Sequence, residues 1–186
     1  MDFPDEIRQS PLFAVLANDE ELFQALSLLR ANTARLAATI DRTVPRFTDH
    51  SIRHMDALWH VASCVLTTVE LETLTPAEAF LLTSSFYLHD IGMAYAATNE
   101  GLQQLRESTH WKAYIASVPA DERSNDDIQA GALSVAVRAL HASAANDLTT
   151  NCVPGTDVFL LEPKSIRDAW GADCGRIAAS HHWSIE

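Results

Sequence analysis

The sequence predicts an all-α protein, a bundle of helices with a polar site set among them. Three observations point that way. Apolar residues recur at i, i+3, i+4 and i+7 over most of the chain, and Ala and Leu dominate them, while alternation of Val, Ile and Thr is scarce. Several of these segments also open on Ser, Thr or Asp with an acidic residue close behind, the mark of a capped helix start.

After an irregular opening, Asn18-Asp19-Glu20 caps a helix expected over residues 21–42, with apolar positions at Leu22, Ala25, Leu26, Leu29, Leu36 and Ile40. Pro45 should end it. A second helix is expected over 51–71. A third starts at Thr75-Pro76-Ala77-Glu78, with Thr75 as N-cap, Pro76 at the first helical position and Glu78 reaching back. Leu82, Ser85, Phe86 and His89 then share one face, and Gly92 lets the chain turn. A fourth helix is expected over 101–118. Ser124 with Asp127 opens a fifth, which runs past Arg138 and His141 to Asn146-Asp147. The longest loop, 149–164, turns at Pro154-Gly155. Ser165 with Asp168 opens a sixth helix that runs to His181-His182-Trp183 and stops at Glu186 without a C-cap signal, which predicts a domain cut short at its C-terminus.

Length and charge bound the rest. A chain of 186 residues suits one domain with a sizeable core. We divide it into an N-terminal helical extension, 1–45, packing on a metal-binding domain, 46–186. The formal charge of −12 disfavours long nucleic acid and anionic membrane as partners. Three widely spaced cysteines, Cys64, Cys152 and Cys174, suit reduced thiols in a cytoplasmic protein. No signal peptide and no spanning segment is visible. Oligomeric state is not legible.

His89-Asp90 is the most informative feature, because a histidine and a carboxylate on adjacent residues can serve one metal cluster. The histidines elsewhere give it company. His54, Leu58, Val61 and Val65 lie on one helical stripe, which points His54 inward, while His50 sits at the mouth of the same helix and His60 falls on another face. His60 is read as an ordinary structural histidine. His141 follows Arg138 by three residues, so a guanidinium suited to phosphate shares its face. Trp170, Cys174, Ile177 and His181 repeat the inward pattern, with His182 turned away from it. Imidazole and carboxylate together suit a divalent metal, one or more ions of Mn, Fe, Mg, Ni or Zn.

FTDHSIRHMDAL, FLLTSSFYLHDIGM, VRALHASAANDL and GRIAASHHW together resemble the HD superfamily of metal-dependent phosphohydrolases. The wording is most similar to HD domains of prokaryotic conflict and stress systems, sometimes joined to a GHKL-type ATPase. The resemblance runs from Arg46 to the end of the chain. It implies a helical HD bundle with the metal site between helices and His54, His89 and Asp90 as ligands. His141, His181 and His182 match the extra ligands of the cyclic-dinucleotide phosphodiesterase branch. It also implies hydrolysis of a small phosphate-bearing substrate such as a nucleotide, with Asp90 bridging ions, Arg138 steadying phosphate and His50 assisting proton transfer. One departure stands out. The family's last aspartate follows the His-His region, whereas Asp147, Asp157, Asp168 and Asp173 all precede it and replace it only if one of them folds back into the site. Two other readings stay open: a nucleotide or metal sensor that regulates a fused effector without turnover, and a structural domain with Trp59, Trp111, Trp170 and Trp183 in its core.

Overall fold

The computed structural model describes residues 3–44, 49–119 and 124–183, and every regular element in them is helical. The predicted boundary at residues 45–46 and the chain's end at Glu186 lie outside these residues. In order the α-helices are α1 (Asp5–Arg8), α2 (Pro11–Leu16), α3 (Glu20–Ala37), α4 (Ile40–Thr43), α5 (Ile52–Val65), α6 (Thr68–Thr73), α7 (Pro76–Leu88), α8 (Asn99–Glu107), α9 (Thr109–Ser117), α10 (Asn125–Asp147) and α11 (Lys164–Ala179). Two 3₁₀ segments, Ile91–Ala97 and Ser180–His182, follow α7 and α11.

α7 is the axis of the bundle. Ala79, Phe80, Thr83, Ser84, Phe86, Tyr87 and Leu88 bury nearly its whole circumference, against α2, α3, α5 and α11. Its start is the predicted one: Thr75 accepts from the Glu78 N–H, and the Glu78 carboxylate accepts from the Thr75 N–H. α10 lies across the 3₁₀ segment that leaves α7 and packs on α9 and α11.

Several helices differ from the periodicity reading, each for a local reason. The opening is helical, since Ser10 caps Phe13 and Pro11 takes the first position of α2. The helix expected over 21–42 begins at the predicted Asp19 cap but ends at Ala37, and α4 is separate. The helix expected over 51–71 breaks at Leu66, where Thr67 and Glu70 form a second capping box. The one expected over 101–118 breaks at Ser108, whose hydroxyl accepts from Trp111 N–H. Each hydroxyl serves the start of a new helix better than the interior of an old one. α11 starts after Pro163, so Ser165 lies inside its first turn and Asp168 pairs with Lys164.

Two interactions seat the N-terminal helices. Phe3 and Phe13 pack on Trp59 of α5, and Phe23 packs on both of them, edge to face with Phe13 at 5.3 Å. Beneath them Arg30 of α3 donates twice to Asp56 of α5, at 2.9 and 2.6 Å. Asp56 also accepts from Tyr87 of α7, whose hydroxyl in turn accepts from Trp59 Nε1. This network ties α3, α5 and α7 together. The 149–164 loop turns at Gly155, with φ of +73°, as its Pro-Gly pair predicts. Cys64, Cys152 and Cys174 are free thiols. Among the described residues no helix is long and apolar enough to cross a membrane.

Candidate metal centre

His89 closes α7 as its C-cap residue, and Asp90 opens the 3₁₀ segment that follows, so both side chains are presented at one helix end. Gly92 brings this corner against α10: a Cβ there would stand 2.0 Å from the His141 carbonyl oxygen and 2.7 Å from Ala145 N. The close approach, not a turn, is what requires glycine. It places the buried Asp90 carboxylate between two groups of imidazoles. Oδ2 faces His89 Nε2 at 2.8 Å, His50 Nδ1 at 3.0 Å and His54 Nε2 at 3.7 Å. Oδ1 faces His141 Nε2 at 3.6 Å and His181 Nε2 at 3.9 Å. His182 stands edge to face with His141, ring centroids 4.3 Å apart.

The rings are oriented by their own helices. His89 Nδ1 lies 3.1 Å from Phe86 O, His141 Nδ1 2.9 Å from Arg138 O and His181 Nδ1 2.6 Å from Ala178 O. A carbonyl only accepts, so Nδ1 carries the hydrogen in all three and Nε2 is left with a lone pair aimed at the carboxylate. His50 is the exception, since it turns Nδ1 toward Asp90. Burial, and then neighbouring imidazoles, holds His54 and His141 below the usual histidine range, so both favour the neutral form that binds metal. Burial works to raise the Asp90 pKa, but hydrogen bonds from His50, and from His89 when its Nε2 also carries a proton, outweigh it and keep the carboxyl well below its usual range.

This arrangement fits a divalent metal on its own chemistry. His141 Nε2 and His181 Nε2 face each other at 3.0 Å with their hydrogens committed elsewhere, as does His89 Nε2 with Asp90 Oδ2. Lone pairs held face to face repel unless a cation lies between them. The donor atoms of His50, His54 and Asp90 lie within 4.8 Å of one another, and so do those of His141, His181 and His182.

A family model described as HD-CE matches residues 44–186. The chain belongs to the HD-CE family. No match was found among curated proteins or solved structures.

In this HD-CE chain the predicted His54, His89, Asp90, His141, His181 and His182 all converge, with His50 beside them. The reasoning that pointed two of them inward needs correction. α5 buries Met55, Trp59 and Ala62, whereas Val61 and Val65, on the stripe assigned to His54, are 48% and 75% exposed. His54 reaches the site because it lies in the first turn, beside Asp90. α11 likewise buries Cys174 and Ala178 but leaves Ile177 39% exposed, and its histidines sit beyond it in the 3₁₀ turn. There His182 is not turned away, because the winding changes from α to 3₁₀ after Ala179 and both rings meet His141. His60 is exposed and 3.5 Å from Cys64 Sγ, outside the cluster.

Arg138 is exposed, and its carbonyl is the group that holds His141. Asp168 pairs with Lys164 and Asp173 with Arg176, while Asp147 and Asp157 are exposed. Among the described residues none of the four joins either metal-competent group. Sequence reasoning missed the approach at Gly92, and it missed the Arg30–Asp56 pair that holds the His54 helix against α3, with Tyr87 of the His89 helix bonded to the same carboxylate. A cavity of about 640 Å³ lies between the N-terminal helices and α5, but no residue of the cluster lines it. The cluster instead reaches solvent directly, through the partly exposed His54 and His181.

Proposed function

We propose that the protein is a metal-dependent phosphohydrolase or phosphodiesterase acting on a nucleotide or related small phosphoester. The observation that carries this reading is Asp90, one buried carboxylate whose two oxygens face separate imidazole groups. His54, His89 and Asp90 would hold metal on one side, and His141, His181 and His182 on the other, with Asp90 shared. A divalent metal bound there supplies a water of lowered pKa and positive charge for the phosphoryl oxygens. The protein's part is orientation. Three backbone carbonyls fix the tautomers of His89, His141 and His181, so little rearrangement is needed on binding. His50, 3.0 Å from Asp90, would assist proton transfer beside that carboxylate. Arg138, three residues before His141 and exposed, would meet the phosphate. The acidic chain favours a small substrate over long nucleic acid.

Asp90→Ala tests the reading. Metal content and hydrolysis are measured on nucleotides, cyclic dinucleotides and single-stranded nucleic acid, with Mn or Mg added. Both should be lost, and metal-dependent turnover surviving in the variant would overturn the mechanism. One observation favours a second reading, a sensor acting on a fused or associated effector such as an ATPase: among the described residues the His141 group has no carboxylate of its own. Bound metal without turnover on any of these substrates would decide for it.

A further inference from the structure

The two sides of Asp90 are chemically unequal. On the Oδ2 side, Asp90 and His50 are 7% and 8% exposed, and the carboxylate oxygen lies within 3.0 Å of two imidazole nitrogens. Apart from the partly exposed His54, that side is buried, and it carries the carboxylate oxygen closest to imidazole. On the Oδ1 side only His141 is buried; His181 and His182 are exposed and lie in a three-residue 3₁₀ turn. There the nearest contacts of Asp90 Oδ1 are 3.6 and 3.9 Å, so the donors in close reach of one another are all imidazoles. His141 Nε2 and His181 Nε2, 3.0 Å apart, match two imidazoles bound about 2.0–2.1 Å from one ion.

We infer that the two sides load in order and select different metals. The His50, His54, His89 and Asp90 side takes the first ion. The His141, His181 and His182 side takes a second, more weakly, and accepts only a nitrogen-preferring transition ion such as Zn, Ni, Co or Fe(II). This rests on the metal-dependent reading above and deepens it. Mg prefers oxygen ligands and gives up its waters reluctantly, so an imidazole triad offers it little. Borderline transition ions are suited to imidazole. The exposed His182 adds to the difference, because its ring must be ordered on binding while Asp90, His50 and His89 already hold one another. Asp90 Oδ1, 3.6 and 3.9 Å from His141 Nε2 and His181 Nε2, would be a carboxylate oxygen within reach of the second ion. Supply of transition metal would therefore set how much of the protein carries a complete pair, a control that Mg cannot replace.

The test is calorimetric titration of the whole, chelator-stripped chain with Mg, Co or Zn salts, with ions counted after desalting and Co(II) followed by its visible absorption. Co and Zn should bind in two steps separated by at least about tenfold in Kd, about 1.4 kcal/mol, while Mg binds one ion at most. His182→Gln and His181→Gln, both at exposed positions, should each remove the second step and leave the first. His54→Gln should weaken the first. Two equivalent steps, Mg filling both sides, or loss of the first step in His182→Gln would overturn the inference. Absence of any bound metal would overturn the phosphohydrolase reading with it, whereas a single ion of every metal tested would overturn the inference and leave that reading standing.

Discussion

His141 and His181 turn their Nε2 atoms toward each other at 3.0 Å, although each ring has already committed its hydrogen to a carbonyl of its own helix. Without a cation this contact opposes folding, and with one it closes the bundle between α10 and the end of α11. Thermal stability should therefore depend on metal. A ligand that binds only the native state at a hundred times its Kd contributes about 2.7 kcal/mol. For a chain of this size that amounts to roughly 5–10 °C in Tm. Scanning fluorimetry of stripped protein with and without Zn or Mn measures it, and an unchanged Tm would argue for a structural cluster that holds no ion.

Gly92 sets the distance between Asp90 and His141. The atoms nearest its missing side chain belong to the backbone of α10, so no rotamer change can make room. Gly92→Ala must push the corner after α7 away from α10 and widen the gap across the carboxylate. We expect a loss of about 1–3 kcal/mol in urea unfolding, as for other overpacked sites, together with weaker metal binding. Normal stability and normal affinity in this variant would show that the corner gives way without consequence for the site.

The sequence made the local features legible and hid the long-range ones. Thr75 with Glu78, Ser124 with Asp127 and Asp19 all cap where they are expected, because each cap involves residues three apart. His89-Asp90 was legible for the same reason. Periodicity served less well on α5, where Leu58, Val61 and Val65 form an apolar stripe one residue out of step with Met55, Trp59 and Ala62, and only packing against α7 decides between them. Arg30 and Asp56 are 26 residues apart, and nothing local marks them as partners. No spacing rule predicted that His181 and His182 would both meet His141, since that depends on the change to 3₁₀ winding after Ala179.

Arg30 and Asp56 are also where the N-terminal helices act on the site. Their side chains are 13% and 12% exposed, and the carboxylate accepts from Arg30 through both oxygens. Removing one member of such a pair leaves the other charge poorly compensated, at a cost of about 3–5 kcal/mol. Arg30→Ala should destabilise by that order. Because α5 carries His54 and is held to α7 through Asp56 and Tyr87, it should also weaken metal binding. Arg30→Lys, which keeps the charge but not the paired contact, should fall between the two. Urea unfolding and metal titration of the three proteins check the order, and equal metal affinity in all three would confine the network to stability.

The caps of α6 and α7 give the fold an acid limit that can be separated from the histidines. Bonds from the Thr75 backbone N–H, and then from its hydroxyl, hold the Glu78 carboxyl below its ordinary value of 4.5, and Thr67 does the same for Glu70. The folded pKa lies below the unfolded one, so the contribution is fully present above pH 4.5 and is lost as pH falls through the depressed folded value. Glutamine accepts the same N–H without titrating, so the double variant Glu70→Gln, Glu78→Gln keeps its caps in acid. Melting curves between about pH 6 and pH 3 should show the unsubstituted protein losing stability more steeply below pH 4.5 than the double variant. Parallel profiles would mean that the carboxylates close their helices no better charged than neutral.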